Sequence, residues 1–281
     1  MIRRIYFKGN PLTLVGRVLE VGRPASEFKV VSQDLKEYKL SDFKDKIKVI
    51  NSFPSLDTPV CDLQVKEFNK RATGLSGDVV VIGISKDLPF AQKRFCETFE
   101  IKNVSVLSDY KTTSFGVNFG LLIKELNLLA RAALIVDKNN ILRYIQIAEE
   151  LASPLNYEEI LGNLAEVIKN PALLVQEELA SKCKPCEGSV KALSKESVEK
   201  LLAKHHGWEL LEDKKLVKEF KFNDFVECKY FLDLVSVIAE EQGHHPVMTI
   251  IYNKLKVTLT THASGGLTDN DFIMARIIDE L

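Results

Sequence analysis

The sequence lacks long apolar runs and lacks an excess of charge of either sign. No stretch of the 281 residues approaches the ~18 consecutive apolar residues typical of a membrane-spanning helix, so no span is expected. The 38 basic and 39 acidic side chains leave a net charge of −1, which argues against nucleic-acid and membrane-surface partners. No apolar core follows Arg3 and Arg4, so no secretory signal is predicted and the expected location is the cytoplasm.

Cysteine is scarce, and its number is odd. Five cysteines in a chain of this length, without a secretory signal, do not predict a structural disulfide framework. Cys183 and Cys186 have the spacing of a redox dithiol or of half a zinc site, but the second ligand pair of a zinc site is missing. A structural or solvent-exposed role, weak metal binding and an accessory dithiol therefore stay open for this pair. Cys228 shares a predicted helix face with Leu232 and Val235, which indicates core packing.

Strand and helix patterns alternate through the first 170 residues. The runs predicted as strands are 48–53, 79–85, 104–107, 132–137 and 141–147. The predicted helices are 61–72, 88–99 and 156–170. This alternation predicts an α/β layered domain with parallel strand pairing. Asn139 and Asn140 indicate a hairpin between the last two strands, so a mixed sheet is expected.

The order of elements changes after Pro171. Lys169, Asn170 and Pro171 are typical of a helix end. We therefore predict two domains, 1–170 and 171–281, the second opening with a lead-in at 171–193. The later part shows three helical segments and two hairpins in the order α-β-β-α-β-β-α: 194–205, 208–222, 225–241, 247–261 and 268–281. This order predicts an α+β domain with an antiparallel four-stranded sheet and helices on one face.

The stretch PSLDTPVC at 54–61 leads from a predicted strand into a helix. Thr58 suits the N-cap and Pro59 the first helical position, which puts Cys61 at the third. Free backbone N–H groups and the helix dipole favour a thiolate there, and a thiolate is the nucleophilic form. Cys61 also shares a helix face with Val65 and Phe68, so the local pattern leaves core packing equally open.

PSLDTPVC, LPFAQKRFC and LLARAALIVD occur in that order and closely resemble the thiol peroxidases. These are peroxiredoxins with a thioredoxin-like fold, and the resemblance extends from FKGNPLTLVG to about residue 168. It implies that Cys61 is the peroxidatic cysteine and that Cys96 resolves it as a disulfide. It also implies that Thr58 and Arg131 bind the peroxide and hold the thiolate. Peroxides, a thioredoxin-type reductant and no cofactor are expected.

Three histidines and a carboxylate mark the second domain, and each alone is a weak signal. Adjacent His244 and His245 are more often surface residues, and His262 continues the polar face of a predicted strand. Asp271 follows Thr268 at capping-box spacing. A shared metal ion is not expected, because neighbouring histidines would struggle to reach one ion and no HExxH pattern occurs.

HHP, TTH and GLTDND, together with GWELLEDKKLVKEFKFNDF, resemble pterin-4a-carbinolamine dehydratase over about residues 181–281. This resemblance implies that His244, His245 and His262 form the pterin site, with Pro246 and Asp271 binding or supporting the substrate. The implied reaction dehydrates 4a-hydroxytetrahydropterin to quinonoid dihydropterin without a metal, and which histidine is the acid stays open.

The two resemblances together predict a bifunctional enzyme that forms a homo-oligomer, a dimer or a tetramer. One alternative is a peroxidase whose second domain serves only in oligomerisation or partner binding. In another, both domains are redox relays that use Cys183 and Cys186.

Overall fold

The structure is a computed structural model that describes residues 3–75, 77–172, 183–184 and 190–281. The chain forms two compact units, Met1–Gln176 and Glu177–Leu281. Cys186 and most of the predicted lead-in lie outside the described residues. Within the described ranges, no helix has the length and apolar character that crossing a bilayer requires.

The first unit contains eleven strands and four helices in its described part. The strands are β1 (Arg3–Phe7), β2 (Asn10–Val15), β3 (Lys29–Val31), β4 (Glu37–Lys39), β5 (Ile47–Ser52), β6 (Val79–Ser85), β7 (Ser105–Ser108), β8 (Leu122–Ile123), β9 (Leu128–Leu129), β10 (Ala132–Val136) and β11 (Leu142–Ile147). The helices are α1 (Pro59–Ala72), α2 (Pro89–Thr98), α3 (Ser114–Asn118) and α4 (Tyr157–Lys169).

A seven-stranded sheet forms the centre of this unit, in the order β11-β10-β5-β6-β7-β3-β4. Strands β5, β6 and β7 run parallel, whereas β10 pairs antiparallel with both β5 and β11. The prediction of a mixed sheet is therefore confirmed. Asn140 has a φ of 61° in the turn between β10 and β11, a conformation that asparagine tolerates better than most residues. A separate antiparallel sheet has the order β1-β2-β8-β9.

The two helices that carry the candidate cysteines begin at one edge of the central sheet. Helix α1 follows β5, and α2 follows β6, its parallel neighbour. Crevices at the carboxyl ends of such strands are common ligand sites in α/β sheets. Cys61 of α1 and Cys96 of α2 belong to one apolar cluster with Phe53, Val65 and Phe95. Packing against this side of the sheet therefore fixes both helices.

The second unit has the predicted α-β-β-α-β-β-α order. Its elements are α5 (Lys195–Leu202), β12 (Glu209–Leu211), β13 (Lys215–Lys221), α6 (Phe225–Gln242), β14 (Val247–Ile251), β15 (Lys254–Leu259) and α7 (Asp269–Asp279). Its four strands pair antiparallel in the order β12-β13-β15-β14. On β15, Leu255, Val257 and Leu259 are buried, and α6 and α7 pack against this strand. The predicted α+β class is confirmed.

Candidate active sites

Cys61 lies in the first turn of α1 and is fully buried at 0% exposure. Thr58 is the N-cap residue, with φ −109° and ψ 140°, and Pro59 is the first helical residue, as predicted. The Thr58 side chain does not cap the helix. Its hydroxyl lies 2.7 Å from the Cys61 sulfur and 3.0 Å from the Ser55 carbonyl oxygen. Since a hydroxyl has one proton, it donates to the sulfur or to the carbonyl, according to the charge of the sulfur.

Arg131 supplies a second donor to the same sulfur. It precedes β10, is 2% exposed, and donates from Nη2 to Cys61 Sγ at 3.3 Å. Its Nη1 donates to Gln64 Oε1 at 2.6 Å, and its Nε donates to the Leu151 carbonyl at 3.0 Å. Gln64 in turn donates to the Ser52 carbonyl at 3.2 Å. Three hydrogen bonds therefore fix the guanidinium group, and its positive charge lies next to the sulfur.

Cys96 is also buried, at 8% exposure, in α2. Gln33 Nε2 donates to its sulfur at 3.1 Å. Burial raises the pKa of the Cys96 thiol, and the Gln33 hydrogen bond offsets part of that rise. Cys61 and Cys96 are both free thiols in the structure, which therefore describes the reduced protein.

Asp87 holds the loop that precedes Thr58. Its Oδ1 accepts from the Ser55 hydroxyl at 2.7 Å, and its Oδ2 accepts from the Leu56 N–H at 2.8 Å. The Ser85 hydroxyl also donates to Oδ2, at 2.8 Å. Because Asp87 lies between β6 and α2, the segment leading into the Cys96 helix positions the loop leading into the Cys61 helix.

The second unit contains a buried histidine–carboxylate pair. His244 is 5% exposed, and its Nε2 lies 2.7 Å from Asp271 Oδ1. The other oxygen of Asp271 accepts from the Thr268 N–H at 2.7 Å and from the Thr261 hydroxyl at 2.8 Å. Asp271 thus caps the start of α7 with one oxygen and orients His244 with the other. Gly243, with φ 63°, ends α6 and turns the chain into His244.

The other two predicted histidines are exposed. His245 Nε2 lies 3.0 Å from Glu240 Oε1, with 60% of the His245 side chain exposed. The placement of His262 on the polar face of the strand was wrong, because β15 ends at Leu259 and His262 begins a short 3₁₀ turn. The Ser264 N–H bonds to the Thr261 carbonyl at 3.0 Å and the Gly265 N–H to the His262 carbonyl at 3.1 Å, which form the turn, and the Thr261 N–H bonds across it to the Gly266 carbonyl at 3.1 Å.

Pro246 is half-buried and directly precedes β14. Across the described residues, no group of three or more His, Cys, Asp or Glu side chains is arranged to hold a metal ion. Cys228 is fully buried, in agreement with the core packing indicated by its helix face.

Known families match each unit separately. Residues 20–161, which are 142 of the 281 residues, match the family model described as Redoxin. The chain belongs to the redoxin family. Residues 191–281 match the model described as Pterin 4 alpha carbinolamine dehydratase. These matches confirm the two resemblances drawn from the sequence: a redoxin domain is fused to a pterin dehydratase domain.

Curated relatives of the redoxin domain are thiol peroxidases. The thiol peroxidase of Aquifex aeolicus (strain VF5) is 45% identical over 172 residues, which cover 60% of this chain and 100% of that protein. The thiol peroxidase of Bacillus subtilis (strain 168) is 44% identical over 165 residues, covering 59% and 98%. A crystal structure of a peroxiredoxin-like protein from Aquifex aeolicus superposes with a TM-score of 0.56 at 44% identity, covering 59% of this chain and 98% of that one. The redoxin domain therefore has the thioredoxin-like peroxiredoxin fold that was predicted.

Gln33, Gln64 and Asp87 of the redoxin domain site were not predicted. Gln64 lies one turn after Cys61 on the buried face of α1, a spacing that could have drawn attention to it. Its partner Arg131 is 67 residues away in the sequence. Asp87 is 31 residues from Leu56, its partner in the loop. Such long-range pairings follow from the neighbouring positions of β5, β6 and β10 in the folded sheet, and the local sequence contains no signal for them.

Proposed function

We propose that the chain is a bifunctional enzyme. The redoxin domain reduces hydrogen peroxide and organic hydroperoxides with thiols, and the dehydratase domain dehydrates 4a-hydroxytetrahydropterin. One observation carries the first activity: the Cys61 sulfur is held between the Thr58 hydroxyl at 2.7 Å and the Arg131 guanidinium at 3.3 Å. The thiol peroxidase relatives support the same assignment.

In the first step, the Cys61 thiolate attacks one oxygen of the peroxide. The O–O bond breaks, Cys61 becomes a sulfenic acid, and the departing oxygen takes a proton to leave as water or an alcohol. Negative charge moves from the sulfur to the departing oxygen, so donors that contact both atoms lower the barrier. Arg131 supplies a forked, permanent cation. Thr58 is exposed beside the buried sulfur, so an incoming peroxide meets its hydroxyl first.

In the second step, the Cys96 sulfur attacks the sulfenic acid, forming a disulfide and releasing water. A disulfide requires Cα atoms within about 7 Å. If the two helix positions are further apart than that, the first turn of α1 and the Cys96 segment of α2 must loosen at each turnover. Loosening also exposes Cys96 to water, which removes the burial that raises its pKa. A thioredoxin-type reductant then restores both thiols by disulfide exchange.

In the dehydratase domain, the lone pair of a pterin ring nitrogen forms a double bond to C4a as the C4a–O bond breaks. An acid protonates the departing hydroxyl, which leaves as water, and a base takes a ring N–H proton to give the quinonoid dihydropterin. Imidazoles titrate near neutral pH and suit both proton transfers. Asp271 fixes the His244 ring through the 2.7 Å contact, which suits a group that orients the substrate. His245 and His262 are exposed and can exchange protons with water, and Pro246 shapes the edge of the site next to His245.

The experiment is a substrate panel on the purified full chain: hydrogen peroxide, an alkyl hydroperoxide and a carbinolamine pterin, with a thioredoxin system as reductant. We expect turnover of all three. Failure with both peroxides would overturn the proposed peroxidase activity. Failure with the carbinolamine alone would leave the second domain as an oligomerisation or partner-binding module.

A further inference from the structure

The described residues of the lead-in that follow Ala172 pack against the dehydratase domain itself. Residues 183–184 and 190–193, together called the brace, lie beside the segments that carry its candidate site residues. Cys183 is 8% exposed, and its thiol lies 3.6 Å from the Asn270 carbonyl oxygen. The solvent-exposed role left open for Cys183 is therefore wrong.

Two buried amide side chains hydrogen-bond to the first part of the brace. Asn270 Oδ1 accepts from the Lys184 N–H at 2.9 Å, and Asn270 Nδ2 donates to the Lys184 carbonyl at 2.8 Å. Gln242 Oε1 accepts from the Cys183 N–H at 2.9 Å. Both amides are almost wholly buried, Asn270 at 1% and Gln242 at 6% exposure. Buried polar groups of this kind are costly to leave unpaired, so the docked segment is held specifically.

The second part of the brace docks on the stretch between His262 and Asp271. The Leu193 N–H donates to the Leu267 carbonyl at 2.8 Å. The Ser264 hydroxyl donates to the Val190 carbonyl at 2.5 Å. The brace therefore contacts the segment before His244, the segment after His262 and the residue before Asp271.

We propose that the brace is a positioning element of the dehydratase site, acting through Asn270 and Gln242. The inference rests on the proposed dehydratase function. His244 and Asp271 join the end of α6 to the start of α7 by one 2.7 Å contact. Gln242 lies two residues before His244, and Asn270 lies one residue before Asp271. Because both amides bond to the brace, the brace connects the same two segments a second time. Without this second connection, the imidazole and its carboxylate lose their fixed separation.

The test uses the full chain with Asn270→Ala and, as an independent second variant, Gln242→Ala. The matched control is Asn253→Ala, which removes another amide-to-carbonyl bond of the same domain, from Asn253 Nδ2 to the Phe222 carbonyl at 2.7 Å. We expect kcat for the carbinolamine to fall about tenfold in each brace variant, with KM within about twofold of the wild type. A small displacement of the site side chains lowers the rate of the chemical step more than it weakens substrate binding. Asn253→Ala should keep the wild-type kcat.

Alkylation mapped to individual peptides shows whether the brace is docked. Cys183 should be modified at least tenfold faster in the brace variants than in the wild type, with the fully buried Cys228 as the internal standard. If Cys183 becomes reactive while kcat is unchanged, the brace is structural only and the inference is wrong. Equal losses of kcat in the brace variants and in Asn253→Ala would also overturn it.

A wild-type chain that does not turn over the carbinolamine would overturn the proposed function instead. The positioning claim is then decided without substrate, from the ring nitrogen signals of His244 in NMR spectra. A shift of these signals in Asn270→Ala and Gln242→Ala, but not in Asn253→Ala, supports the brace. Unchanged His244 signals in both brace variants contradict it.

Discussion

Replacing Thr58 by valine should separate the chemical role of this residue from its helical position. Threonine at an N-cap normally satisfies a backbone N–H with its hydroxyl, and losing that bond costs ~1 kcal/mol of stability. In this protein the hydroxyl contacts the Cys61 sulfur at 2.7 Å and the Ser55 carbonyl at 3.0 Å in an exposed position, and it makes no capping bond. Valine has nearly the same shape and accepts the extended backbone of this residue, φ −109° and ψ 140°. Stability should therefore change by less than ~1 kcal/mol.

The rate of peroxide reduction should fall sharply in the same variant. A hydrogen bond to a charged group is worth ~1.5–3 kcal/mol, and each ~1.36 kcal/mol in the barrier is a factor of ten in rate. Thr58→Val should thus slow the reaction of Cys61 with peroxide by ~10- to 150-fold, whereas Thr58→Ser, which keeps the hydroxyl, should stay near the wild type. Single-turnover stopped-flow kinetics at several peroxide concentrations give the second-order rate constant, and thermal unfolding gives the stability.

Asn156 provides the matched control, because it is the N-cap of α4 in the same domain and its side chain does cap. Its Oδ1 accepts from the Glu159 N–H at 3.2 Å. Asn156→Ala should lower the free energy of unfolding by ~1 kcal/mol and leave the peroxide rate unchanged. A wild-type peroxide rate in Thr58→Val, or a loss of stability equal to that of Asn156→Ala, would contradict the chemical role of the Thr58 hydroxyl.

Three further predictions concern Cys96 and the assembly. Cys96→Ser should complete one turnover and stop as a Cys61 sulfenic acid, detected by dimedone labelling and mass spectrometry; normal cycling with a thioredoxin-type reductant would contradict the resolving role. In Cys61→Ser, the alkylation rate of Cys96 should reach its midpoint at a higher pH than that of an ordinary thiol, because burial raises the Cys96 pKa. Adding Gln33→Ala should move this midpoint to a still higher pH. A midpoint at or below that of a free thiol, with or without Gln33→Ala, would contradict a raised Cys96 pKa. The chain should assemble beyond a dimer if both domains keep their own twofold contacts, and light scattering that shows a monomer or a dimer would refute this.

Five strands of the central sheet, β5, β6, β7, β10 and β11, could be predicted because their patterns are locally consistent. The run VVVIGIS at Val79–Ser85 is strand β6 without a change of boundary, and α1 begins at Pro59, the predicted first helical position. A continuous apolar run rich in β-branched residues is typical of a parallel strand buried on both faces. Helix α6 could be predicted because its amphipathic pattern, Asp224 N-cap and terminal Gly243 all agree.

Short strands were missed because two or three residues are too few for a period to show. Strands β8 and β9 have two residues each, and β3 and β4 have three each. Strand β8 pairs with the nearby β9 and also with β2, more than a hundred residues earlier in the chain. The hairpin of β1 and β2 did contain a local signal, since Gly9 with φ 79° and Lys8 with φ 50° form its turn.

The residue types at the two sites could be predicted, but the directions of their side chains could not. The sequence places Thr58 three residues from Cys61, which fits either a capping hydroxyl or a hydroxyl turned toward the thiol. Only the fold brings Arg131 to the sulfur, since β10 pairs with β5. Likewise, Asp271 suited both a helix cap and a partner of His244, and its two oxygens allow it to be both.

We expect one chain to carry two reactions at two separate sets of residues. Cys61 and Arg131 precede Pro171 in the sequence, and His244 and His245 follow it. The most direct measurement is a crossed assay of both reactions in the full-length wild type, Cys61→Ser and His245→Ala. Cys61→Ser should lose peroxide reduction and keep dehydration within about twofold of the wild type. His245→Ala should lose dehydration and keep peroxide reduction within about twofold of the wild type. A variant that keeps its own reaction at the wild-type rate would contradict two separate sites. A change of about tenfold in the other domain's reaction, equivalent to ~1.4 kcal/mol in the barrier, would contradict them as well.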